Sequence, residues 1–151
     1  MSTPAPRIET RPLTKQEEHD LMMHQAVFFK LVEVAGIETG PEDDTPQICD
    51  ALMTWWHQLP QDGKVETGQF SQALGAALGE FIRHHLKFEW QRIDDAFGSF
   101  VGLFADAADQ RDIVLDPANT VLKRLEEAQE GALFDYLNHI FKQFGETLKR
   151  Q

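Results

Sequence analysis

The chain has 151 residues, 42% of them hydrophobic, with eleven Phe and three Trp, which is enough apolar material for one packed core and excludes a disordered polymer. Twenty-five acidic against fourteen basic side chains leave a net charge of −11, which weighs against a nucleic-acid partner, since phosphate backbones are bound by counterion release to Lys and Arg. The single cysteine, Cys49, excludes an intrachain disulfide and a cysteine-built metal cage.

The opening Met-Ser-Thr-Pro-Ala-Pro-Arg lacks the charged start and apolar run of an export signal, and no run approaches the ~20 apolar residues of a membrane helix. A cytoplasmic protein without a membrane partner is therefore expected. Residues 1–14 show no periodicity and predict a mobile tail, leaving 15–151 as one domain. Leu21, Phe28, Leu31, Val32 and Ala35 then recur at helical spacing over Lys15 to Ala35, with Gly36 as a stop. The following segment, Ile37 to Ala51, carries Glu38, Glu42, Asp43, Asp44 and Asp50 with no basic residue, the pattern of a solvated acidic loop.

Thr45-Pro46 opens a second helix, with threonine as cap and proline in the first turn. Ile48, Leu52, Trp55 and Leu59 form one stripe, and Cys49, Met53 and Trp56 a neighbouring one; Leu59-Pro60 ends it. Cys49 thus reads as a buried thiol, and Trp55-Trp56 as core filling in preference to a partner-binding hot spot. After the turn Gln61-Asp-Gly-Lys64, a third helix spans about Glu66 to Leu86, with Phe70, Leu74, Ala77, Leu78, Phe81 and Ile82 on one face. Gly75 and Gly79 lie one turn apart on it. Each costs about 1 kcal/mol relative to alanine, which implies close packing of a neighbouring element.

Phe88 to Asp94 and Ser99 to Ala105, separated by Asp95-Ala-Phe-Gly98, predict an antiparallel hairpin over about 88–105. Ile93 breaks the alternation of the first strand and implies a bulge or a partly covered second face. A third short strand is expected at about 112–115. Asp116-Pro117 then opens a helix through Val121, Leu122 and Leu125, and after Gly131 the spacing of Leu133, Phe134, Leu137, Ile140, Phe141, Phe144 and Leu148 traces a last one. The predicted architecture is α+β: a small antiparallel sheet packed on one face by about five helices.

Gly75, Gly79 and Glu80, then Glu89-Trp90, Asp95 with Gly98, and Pro117 before Lys123-Arg-Leu-Glu126 occur in an order that resembles a bacterial family of domains of unknown function. The resemblance spans about Trp55 to Ile140. It implies the fold and carries no activity, cofactor or site assignment.

Glu80 and His84 stand one helical turn apart, and Glu89 and Arg92 follow on the strand, so this helix–strand junction is the candidate polar site. Acid–base work there requires a cleft and displaced pKa values; the competing reading is a clamp joining helix to sheet. Lys123 and Arg124 are a candidate anion site near a helix start, against the reading of an ion-paired exposed helix. Adjacent His84 and His85 point about 100 degrees apart, and His19 and His24 are badly spaced, so no metal is expected, nor any cofactor. His85 falls on the apolar face and is expected to be a hydrogen-bonded core residue. Ser71 and Ser99 lack a His–acid partner at a recognisable spacing.

Two functions from different classes follow. One is a non-catalytic interaction or accessory domain whose acidic surface binds a basic protein, an immunity-type protein being one form. The other is a small-ligand-binding or hydrolytic domain built on Glu80, His84, Glu89 and Arg92, with Lys123 in support.

Overall fold

The computed structural model describes residues 8–39, 45–96, 98–106, 112–127, 131–145 and 148. Strand β1 (Glu9–Pro12) leads into helix α1 (Lys15–Val34) and then α2 (Thr45–Gln58). A 3-10 turn at Gln61–Gly63 precedes α3 (Thr67–His85), and strands β2 (Glu89–Asp95), β3 (Gly98–Asp106) and β4 (Asp112–Leu115) are followed by helices α4 (Pro117–Glu127) and α5 (Ala132–Phe144). The four strands form one antiparallel sheet in the order β1-β2-β3-β4. The fold is α+β, with the expected hairpin and third strand.

The expectation of a tail over 1–14 is corrected at residues 9–12, which pair with β2 from Glu9 opposite Asp94 to Pro12 opposite Gln91. A four-residue edge strand ending in proline carries no apolar alternation, and an edge tolerates the missing donor. Residues 1–7 of that expected tail lie outside the described residues. Thr14 closes a capping box at the start of α1: its hydroxyl accepts from the Glu17 N–H at 3.1 Å, and its own N–H donates to Glu17 Oε1 at 2.9 Å.

The starts of α3, α4 and α5 are capped by acids. Glu66 accepts from the backbone of Gly68 and Gln69, and Asp116 from that of Asn119. Helix α5 begins at Gly131, which has φ 67° and no side chain to offer, so its cap comes from α2: Asp50 accepts from the N–H groups of Leu133 at 3.0 Å and Phe134 at 2.9 Å. Asp50 is therefore not a solvated loop charge but a half-buried residue tying α2 to α5. Glu42, Asp43 and Asp44 of the same acidic stretch lie outside the described residues.

Helix α3 is the axis of the molecule. Phe70, Leu74, Leu78 and Ile82 are fully buried along it, against Leu52, Phe88, Leu103, Val121 and Leu133. Its two glycines serve different neighbours. A Cβ on Gly75 would stand 2.5 Å from Ala118 Cα, so this notch admits the first turn of α4; a Cβ on Gly79 would stand 2.2 Å from the six-membered ring of Trp90, so that notch admits the indole.

The register places Trp90, Arg92, Val101, Leu103, Ala105, Ile113 and Leu115 on the helix side of the sheet. Ile93 pairs with Phe100 in an unbroken ladder, so there is no bulge; it is fully buried on the opposite side, where Phe100 and the bare backbone of Gly102 close over it. Beyond α5, the buried Leu148 accepts from the Lys87 N–H at 2.6 Å, fastening the chain to the α3–β2 junction.

Gly75→Ala and Gly79→Ala should each lower stability by about 1–3 kcal/mol in urea unfolding despite the better helix propensity of alanine, because each added methyl meets occupied space. Stabilisation by either substitution would refute the notches.

Candidate functional site

At the helix–strand junction, Glu80 is fully engaged. Its Oε1 accepts from the Trp90 indole N–H at 2.7 Å and from Arg83 Nε at 3.1 Å, and its Oε2 from Arg83 Nη2 at 3.0 Å. Burial opposes the charged form of Glu80, but the Arg83 and Trp90 hydrogen bonds together outweigh it and hold the pKa below the ordinary value. Three donors on an ionised carboxylate make a clamp between α3 and β2.

The four junction residues are divided by the fold. Glu80 and Glu89 line one open hollow with Arg83, Trp90 and Gln91, on the side where Met22 and Gln25 of α1 stand. Arg92 lies in a different cleft, and His84 is exposed and lines neither, its ring set edge-on to His85.

That second cleft has a volume of about 510 Å³ and is enclosed by α1, α3, the sheet and the start of α4. Arg92 Nε meets Glu17 Oε2 at 3.2 Å, and Arg11 of β1 holds both oxygens of the same carboxylate at 2.8 and 3.2 Å. Glu17 thereby joins the capping box, the edge strand and β2. Its carboxyl is held down to about 2, chiefly by the Arg11 hydrogen bond and next by the Thr14 N–H, against the cost of burial.

The rest of the wall brings Asp20 and His24 from α1, Gln72 from α3, and Asp116 and Asn119 from α4 around an apolar surface of Leu21, Val101 and Leu122. Burial pushes the Asp116 carboxyl up, only partly offset by the Asn119 N–H and the charge of Lys123. Sequence reasoning assigned none of these but Arg92 to a site. The Thr14-x-x-Glu17 box and the Asp116 cap were readable as helix starts; nothing local connects them, because the cleft gathers residues from five separate elements, α1, α3, β2, β3 and α4.

Lys123 and Arg124 diverge. Lys123 is exposed and acts on Asp116, whereas Arg124 pairs with Glu127 at 3.3 Å and borders a small hollow against α5 with Asp135, Tyr136 and His139. His85 is corrected from a core position: it is exposed, its ring against Phe81 at 4.5 Å and Phe141 at 5.8 Å, because the apolar stripe of α3 ends beside α5 and not beneath it.

Trp56 donates to the Val65 carbonyl at 3.0 Å and lies under the Lys64 ammonium, stapling the α2–α3 connection. Cys49 is fully buried and burial pushes its thiol pKa well up, which suits packing and not nucleophilic attack. Among the described residues no group of three or more His, Cys, Asp or Glu is placed to hold a metal ion, and no helix is long and apolar enough to cross a membrane.

No protein-family model, curated protein or solved structure matches the chain.

A carboxyl whose pKa falls on folding stabilises the folded state fully above its unfolded value, near 4.5 for Glu17, and loses that contribution as pH falls towards about 2. Glu17→Gln should lower the thermal midpoint at neutral pH and flatten the decline of stability across that window. A variant curve running parallel to the wild type throughout would contradict this role.

Proposed function

We propose that this protein is a small-ligand-binding domain whose site is the cleft between α1, α3, the sheet and α4. One observation carries the reading: a 510 Å³ concavity, within the size range of small-molecule sites, combines an apolar wall with a few convergent polar groups and a carboxyl of raised pKa. Because Glu17 is neutralised by two arginines, Asp20 and Asp116, which accept from Gln16 and from the Asn119 N–H and are not paired with an arginine among the described residues, are the carboxylates left to that wall. They suit a ligand with an amine or several hydrogen-bond donors at one end and an apolar body to lie on Leu21, Val101 and Leu122. Binding fits better than turnover, since Glu17 and Asp116 already hold structural hydrogen bonds.

Titrating the protein with primary amines and with carboxylates of matched size, followed by backbone amide NMR, tests the reading. Amines should shift residues of α1, α3 and α4 around the cleft. Gln72→Trp, from an exposed position on its rim, should block them. Asp116→Asn, which keeps a good helix cap, should weaken amine binding about tenfold or more while leaving stability nearly unchanged. Affinity should also fall as pH is lowered through the raised Asp116 pKa, because the protonated acid no longer attracts a cation. Shifts scattered away from the cleft, or equal binding by the Gln72→Trp variant, would refute the assignment.

The net charge of −11 favours a second reading, an accessory domain in the cytoplasm that binds a basic protein. Its signature is an affinity that drops steeply with added salt.

A further inference from the structure

Helix α1 has two apolar sides, and among the described residues only one is packed against the core. Phe28 and Leu31 are buried against the core, with Val27 and Val32 beside them. On the opposite side Met22, Met23, Phe29 and Val34 are 66, 51, 68 and 62% exposed, with the small exposed residue Ala26 between them. An amphipathic surface helix presents charge to water; one that is apolar on both sides has a second partner.

We infer that the outer side of α1 is the seam of a homodimer, two copies of α1 packing antiparallel about a two-fold axis near Ala26. The arrangement of the patch is self-complementary. Met22 and Phe29 share one flank of the helix, before and after Ala26, so an antiparallel two-fold rotation lays Met22 of each copy on Phe29 of its mate, while Met23 and Val34 border the other flank. Ala26, at the centre, lets the two backbones approach.

The charged residues agree. Lys15 and His19 lie towards the start of the exposed side and Glu33, 3.7 Å from Lys30 of its own helix, towards its end, so antiparallel pairing brings each Glu33 near the partner's Lys15 and His19 as well. A strongly basic protein is a poor occupant of the same surface, because Lys15, His19 and Lys30 flank the patch with only Glu18 and Glu33 against them. The nearly balanced charge here also spares a dimer the repulsion expected from the net −11 of each chain. This inference is independent of the ligand cleft, which opens on the inner side of α1 through Glu17, Asp20 and His24.

Sedimentation equilibrium and cysteine cross-linking test it together. The full chain should sediment as a dimer at micromolar concentration, and Phe29→Glu should weaken dimerisation about 100-fold or more without changing the circular dichroism, since the side chain is exposed within the protomer. Cys49 is fully buried, so Ala26→Cys introduces the one accessible thiol among the described residues. Mild oxidation should join two such chains much faster than two carrying Gln143→Cys, at an exposed position on α5. A monomer throughout, a dimer indifferent to Phe29→Glu, or equal cross-linking at both positions would overturn the proposal.

Discussion

The Trp90 indole seated over the bare backbone of Gly79, with its N–H given to Glu80, is the joint on which the architecture depends. It is the point where the central helix meets the sheet. The indole can lie this close to α3 because position 79 has no side chain, and its one polar atom is satisfied because Glu80 is the next residue of the same helix. Arg83, one turn on, fixes that carboxylate with two further hydrogen bonds. Three side chains and one missing side chain thus set both the distance and the rotation of helix on sheet.

The remaining walls of the cleft follow from that placement. With β2 docked through Trp90, Arg92 two residues along reaches the same side of the sheet and meets Glu17, which brings the start of α1 across. The second notch, at Gly75, lets the first turn of α4 lie against α3 with Asp116 at the edge. The cleft is what remains between three elements drawn towards one helix. Its carboxylates differ in consequence: Glu17, surrounded by donors, has its pKa lowered to about 2, while half-buried Asp116 has its pKa raised.

Where the controlling physics is local, the sequence was readable. Proline beside a capping residue announced α2 and α4, the Asp95–Gly98 turn announced the hairpin, and two glycines in an otherwise good helix announced close packing before either neighbour was known. Gly75, Gly79, Glu80 and Trp90 all lie in the two close-packed contacts of α3. Strand β1 was not readable, because four residues of an edge, two of them charged and one proline, show no alternation. Nor was the Asp50 cap on α5, which acts across 83 residues of sequence. The cleft was hidden for the same reason: Arg92 was picked out for its nearness in sequence to Glu80, yet it stands two residues beyond Trp90 on the same face of β2, where it meets Glu17 of α1.

The central claim is that Glu80 and Trp90 form an energetically coupled bond and do not merely lie side by side. A double-mutant cycle with Trp90→Phe and Glu80→Ala, read by urea unfolding, isolates it. The account predicts a coupling of about 1.5–3 kcal/mol, the range for a hydrogen bond to a charged acceptor. Two losses that simply add would contradict it.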